Sequence, residues 1–201
     1  PPADTLILDA SYGMRVFEPS IRRRLSERML ALPRPLLLPA PATGRALELA
    51  LALQSAGRAP ALCEWTQSAF EAAMESPAIL TPEARDGCAR LLAGPGSDAN
   101  ACRIVDDPGL VQSGNRELVR EVRAAGGTVC LTGHVPPGTP AAGLLEAGEA
   151  CWLGWPAHPD LEQNRALVKA VGASRILPAF CEPEVAERLL ARLRDLNTPM
   201  P

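Results

Sequence analysis

CWLGWPAHPDLEQNRALVKAVGASRILPAFCE, Cys151 to Glu182, reads as a strand, a loop, a helix and a second strand. Cys151 to Leu153 and Arg175 to Ala179 are short apolar runs, and Pro159 to about Ala170 carries the helix between them. A strand–helix–strand unit of this length joins parallel strands and packs its helix on the sheet. The loop carries His158, one of two histidines in the chain.

Working outward, the same alternation covers the sequence. Thr5 to Asp9 (TLILD) is an apolar run read as a buried strand that delivers Asp9 and Tyr12 to its C-terminal edge. Glu18-Pro19-Ser20 opens a helix that runs to Pro33, with Arg22 to Arg24 on its solvated side. Pro35 to Ala40 is a second buried strand, and the turn through Gly44 leads to a helix from about Arg45 with Leu47, Ala50 and Leu51 facing inward. A short strand at Ala61 to Cys63 and helices at Thr66 to Glu75 and Pro82 to Ala93 follow, then a break at Gly94 to Asp98. Cys102 to Asp106 and Thr128 to Thr132 are further strands, separated by a helix from Asn115 to Ala125; a last helix spans Pro183 to Leu196.

At 201 residues with 47% hydrophobic content, the chain can bury a sizeable core. A net charge of −3 argues against a generally basic nucleic-acid coat, although a local basic stripe survives net acidity because screening confines its field to roughly 10 Å. Lys169 is the only lysine, so the positive charge is almost all guanidinium. That suits phosphate contacts, and a GC-rich coding sequence accounts for it equally. Six scattered cysteines with no C-x-x-C pair read as reduced core residues. No signal peptide and no apolar run of roughly 20 residues appears, which points to the cytoplasm and to no membrane. The chain opens without an initiator methionine and runs at once into a strand, the expectation for a piece of a longer protein.

The strand, glycine turn and helix start at Pro41 to Arg45 favour anions, because free amides and the helix dipole point at the turn. It lacks the G-x-x-x-x-G-K-[ST] pattern, and a plain strand-to-helix connection is the other reading. Arg45 could meet phosphate or pair with Glu48. Trp152 and Trp155 could stack on bases or pack in the core, and His134 could touch a ligand or stand in solvent.

Several stretches together resemble the β-CASP branch of the metallo-β-lactamase fold, whose members are zinc-dependent nucleases. ADTLILDASYG (Ala3 to Gly13) is similar to the family's strand ending in an acid and a Ser-Tyr-Gly turn; LLLPAPATGRALEL (Leu36 to Leu49) to its P-x-x-x-x-G-R-x-x-E-L segment. DDPGLVQSGNRELVREV (Asp106 to Val122) resembles the glycine-containing turn and helix of RNA-processing members, and TGHVPPGTPAAGLL (Thr132 to Leu145) the T-G-Y-x-x-x-G-T segment, with His134 in place of tyrosine. WPAHPD (Trp155 to Asp160) resembles the motif that supplies a histidine. The H-x-H-x-D-H zinc motif is not in these residues, and Phe180 stands where RNA-directed members have a zinc-binding histidine. DNA-directed members have an apolar residue at that place.

The resemblance implies an α/β chain. A parallel-sheet cap domain with helices on both faces would span 17–149, flanked at 1–16 and 150–201 by pieces of a metallo-β-lactamase αββα core. It implies part of a metal-dependent phosphodiester hydrolase, RNA ahead of DNA, with Asp9 and His158 catalytic. Gly44, Arg45, Ser113, His134, Gly138 and Thr139 would bind substrate. Zinc is expected only in the full-length protein and none in this chain alone. Expected partners are RNA or DNA, the metallo-β-lactamase half that these residues lack, and a homo- or heterodimer mate. An acid beside imidazole orients the ring and favours its protonated form, as a general acid needs; a purely structural His–Asp bond has the same residues. The competing class is a degenerate β-CASP subunit that binds nucleic acid or a partner protein without cutting, which Phe180, the Asp106-Asp107 turn and His134 favour.

Overall fold

The computed structural model describes residues 3–76, 78–94 and 102–194. Over these the chain is α/β, with eight helices, and every strand pairing is parallel. Two compact units form: Arg22–Trp155, and Pro1–Ile21 together with Pro156–Pro201.

The continuous unit holds a five-stranded sheet in the order β3-β4-β2-β5-β6. Its strands are β2 (Leu36–Pro39), β3 (Ala61–Leu62), β4 (Cys102–Val105), β5 (Thr128–Leu131) and β6 (Cys151–Trp152). The central β2 is buried at all four residues, as the unbroken run LLLP requires of a strand covered on both faces. Leu37, Val105, Val129 and Leu131 form one core cluster with Val119 and Val122 of α5 (Ser113–Ala124) and Ala141 of α6 (Pro140–Glu146). Leu36 and Leu38 alternate with Leu37 and so face the other way.

The remaining helices of this unit are α1 (Ile21–Leu30), which begins at the last residue of the other unit, α2 (Arg45–Ser55), α3 (Glu64–Glu75) and α4 (Pro82–Leu92). In α2 the buried face is Ala46, Leu49, Ala50 and Leu53; of the expected Leu47, Ala50 and Leu51 only Ala50 is buried. Leucine and alanine run almost all round this helix, so apolar spacing alone did not fix its phase. Helix α5 begins at Ser113, two residues earlier than expected, after a turn in which Asp107 accepts the Val111 and Gln112 amides. Helix α6 was not expected, although Thr139-Pro140 is a start signal: the Thr139 hydroxyl accepts the Ala142 amide, with proline at the first helical position.

The other unit pairs β1 (Thr5–Asp9) with β7 (Arg175–Ala179), from Thr5 against Arg175 to Asp9 against Ala179. Helices α7 (Leu161–Val171) and α8 (Pro183–Arg194) join Leu8 and Ala10 in one core through Leu161, Val168, Leu189 and Leu193. The expectation of a buried β1 is corrected: only Leu8 is buried, and Ile7 is 70% exposed. Core residues alternate with outward ones, as in a sheet packed on one face only. Gly172 ends α7 in the left-handed region (φ 65), which glycine enters without steric cost. The expected break at 95–98 and the helix tail at 195–196 lie outside the described residues.

Candidate functional site

Strand β1 ends on Asp9, and Ala10 continues the ladder by donating its amide to the Ala179 carbonyl (2.9 Å). Beyond it the chain turns, with the Gly13 amide on the Ala10 carbonyl (2.8 Å). The turn brings Ser11 back onto Asp9 Oδ1, to which it donates both its amide (2.9 Å) and its hydroxyl (2.6 Å). The other carboxylate oxygen, Oδ2, lies 2.8 Å from His158 Nδ1. The pair expected from sequence is therefore in contact across 149 positions of chain.

Burial pushes the Asp9 carboxyl up, but the Ser11 hydroxyl and amide and then His158 hold it below its ordinary value. An ionised carboxylate only accepts, so Nδ1 carries the hydrogen. Nε2 is then the ring nitrogen that can exchange a proton with another molecule. The His158 side chain is 44% exposed, open enough for that exchange.

Three neighbours fix this arrangement. The Tyr12 ring meets His158 edge to face (5.4 Å, 87°) and Phe17 likewise (5.0 Å, 82°), while its hydroxyl accepts the Ala157 amide (3.2 Å). Asp160 caps α7 in a reciprocal box with Gln163, and its Oδ2 also accepts the Phe17 amide (3.0 Å). Asn164 donates its side-chain amide to the Asp9 carbonyl (2.8 Å) from a buried position. Sequence reading did not single out Ser11 or Asn164. Asn164 carries a signal all the same, a polar residue on the apolar stripe of Leu161 and Val168.

Phe180 follows β7 immediately and is 80% exposed, with a left-handed backbone (φ 61). It offers no donor atom at the strand end beside Asp9. Among the described residues no group of three or more His, Cys, Asp or Glu is placed to hold a metal ion. Asp9 and His158 are engaged with each other.

The six expected substrate-binding residues lie in the continuous unit, in loops or helix starts that follow β2, β4 and β5. Parallel strands place those connections along one sheet edge, where α/β sheets bind ligands. The loops are tied together. The Ala42 amide donates to Asp106 Oδ1 (2.9 Å), linking the first to the second, and a methyl added at Gly109 would meet Thr139 of the third at 3.4 Å. Arg45 lays its guanidinium against Gly133, so that any side chain there would have to displace it.

Arg45 does not pair with Glu48. That carboxylate takes Arg22 (3.3 Å) and the Trp155 indole N–H (2.6 Å) instead. Arg45 Nε and the Thr132 hydroxyl are both buried without a hydrogen-bond partner. Trp155 is a core residue, whereas Trp152 is 54% exposed and donates its indole N–H to the Gly133 carbonyl (2.8 Å). Other expected residues have structural duties. Thr139 donates its hydroxyl to Pro136 (2.7 Å) and caps α6, and Gly138 supplies a left-handed turn (φ 74). Gly44 is the N-cap residue of α2 (φ 64), Ser113 is the exposed first residue of α5, and His134 is exposed. The Asp106-Asp107 turn is structural too: buried Asp107 accepts the amides of Val111 (3.0 Å) and Gln112 (2.8 Å) and the side chain of Asn115 (3.1 Å).

A scan against known protein families finds no matching model, and a search of curated proteins finds no significant match. Among the described residues no helix is long and apolar enough to cross a membrane.

Proposed function

We propose that the chain is part of a phosphodiester hydrolase acting on nucleic acid, RNA ahead of DNA, in which His158 is the proton donor to the leaving oxygen. The observation that carries the reading is the 2.8 Å contact between His158 Nδ1 and Asp9, with the second Asp9 oxygen held by Ser11. Cleavage releases an alkoxide that needs a proton at once. The imidazolium gives its Nε2 proton to that oxygen and stays hydrogen-bonded to Asp9 through Nδ1, so the ring keeps its orientation through the step. Arg45, at the edge of the five-stranded sheet, supplies a guanidinium for phosphate oxygens.

Within this reading the two-stranded unit belongs to a metallo-β-lactamase αββα core, the five-stranded unit is a β-CASP cap, and the compartment is the reducing cytoplasm, in keeping with six free cysteines. Zinc would require donors beyond the described residues, and no step is drawn through it. A second reading rests on Phe180: an exposed aromatic at the end of β7 suits a subunit that holds nucleic acid without cutting it.

The test is cleavage of end-labelled RNA and DNA oligonucleotides by the protein as its gene encodes it, supplied with zinc. His158→Ala is expected to lower the rate about 10²–10⁴-fold while leaving oligonucleotide affinity unchanged. Tight binding with no cleavage by the wild type would favour the second reading, and neither binding nor cleavage would sink both.

A further inference from the structure

Cys130 on β5 and Cys151 on β6 are register partners. Partners in a parallel pair point to the same face, and neighbouring strands run ~4.8 Å apart, within the ~4.4–6.8 Å Cα separation that a disulfide bridges. The two thiols act on each other's ionisation. No other two cysteines are register partners among the described residues.

The pair is asymmetric. Strand β6 closes one end of the sheet order, and Cys151 is half-buried there, whereas Cys130 is fully buried. The hydrogen bond from Cys130 draws the Cys151 thiol down to about 7 against the effect of burial, with help from its own backbone and the charge of Arg28. The same bond, then burial, then the Cys151 charge push Cys130 up. Cys151 is thus the thiol that ionises first and the sulfur within reach of solvent, while Cys130 lies buried behind it.

We propose that Cys151 is a site of reversible oxidation by peroxides, with Cys130 as its resolving thiol. The Cys151 thiolate attacks hydrogen peroxide; an S–O bond forms, the O–O bond breaks, and the departing hydroxide takes a proton to leave as water. Cys130 then attacks the sulfenic sulfur. An S–S bond forms, the S–O bond breaks, and the hydroxyl leaves with the Cys130 proton as a second water. Two thiols lose two electrons and one peroxide becomes two waters. Cys151 is half-buried rather than sealed in the core, and a disulfide that thiols can reach is one they can reopen. The proposal stands independently of the nuclease reading.

The intact protein would be treated with stoichiometric hydrogen peroxide, blocked with iodoacetamide and mapped by mass spectrometry without reduction. The expected product has lost two hydrogens, carries a 130–151 cross-link and is restored by dithiothreitol. In the reduced protein, Cys151 should alkylate at neutral pH at least ~10-fold faster than buried Cys88 and Cys102. Cys130→Ser should accumulate a dimedone-reactive sulfenic acid at Cys151. A wild-type protein that forms no cross-link, links other cysteines or alkylates Cys151 no faster than Cys88 overturns the proposal, and these readouts need no variant to fold.

Discussion

Asp9 shows how one residue does two jobs. Its backbone closes the β1–β7 ladder and receives Asn164, while its two side-chain oxygens are divided between Ser11 and His158. Because these partners hold the carboxyl below its ordinary value despite burial, ionised Asp9 stabilises the fold. For a depressed carboxyl that contribution is complete above the unfolded value of about 3.9 and is lost as pH falls through the lower folded value. Asp9→Asn removes the titration. The stability gap between wild type and variant in urea unfolding is therefore expected to be constant near pH 5–6 and to shrink on acidification below about 4. A gap that holds constant down to pH 2 would show that the carboxylate is not selectively stabilised in the folded chain.

At the scale of elements, α7 is the piece that sets the histidine. It begins three residues after His158, and its start is fixed by Asp160, whose Oδ1 takes the Gln163 amide (2.9 Å) and whose Oδ2 takes the Phe17 amide (3.0 Å). Asp160→Ala removes a cap and leaves the half-buried Phe17 amide without its acceptor, a loss of about 2 kcal/mol in chemical denaturation. Asp160→Asn, which keeps an acceptor for the Gln163 amide, is expected to recover roughly half of that. Equal losses would mean that charge, not capping, is what Asp160 provides. The sequence reading put this start at about Pro159, two residues early, although Asp160-x-x-Gln163 is a capping-box pattern that marks it. Strand β7 was readable, and spans Arg175–Ala179 as its apolar run indicated. The Asp9 and His158 contact was legible only through the family resemblance, because nothing local to either residue records a partner 149 positions away. Ser11 and Asn164 escaped for a different reason: serine after a strand is ordinary turn chemistry, and a lone helical asparagine means little until the buried face is known. The use of Asp107 to hold the turn before α5 was hidden because the amides it accepts lie four and five residues ahead.

At the scale of the whole molecule, chain continuity separates the two units. Arg22–Trp155 is one uninterrupted stretch with a five-stranded sheet whose central strand is buried throughout and whose α5 and α6 complete one core cluster. The other unit is assembled from both ends of the chain: Leu8 and Ala10 come from the first 21 residues, and Leu161, Val168, Leu189 and Leu193 from the last part. A continuous stretch closes its loops at low entropic cost, whereas joining ends across an inserted unit gains only if that unit already brings them near each other. A fragment of residues 22–155 is therefore expected to unfold cooperatively in urea, with fluorescence from core Trp155 reporting the transition. A chain shortened before α8 loses Leu189 and Leu193, both fully buried. Removing two such leucines costs about 4–10 kcal/mol, which is the whole stability of an ordinary domain. In the shortened chain, hydrogen exchange should be fast throughout β1 and α7 while β2, β4 and β5 stay protected. Loss of protection in the five-stranded sheet on the same truncation would mean that the two units fold as one, and that the continuous unit depends on the ends that enclose it in sequence.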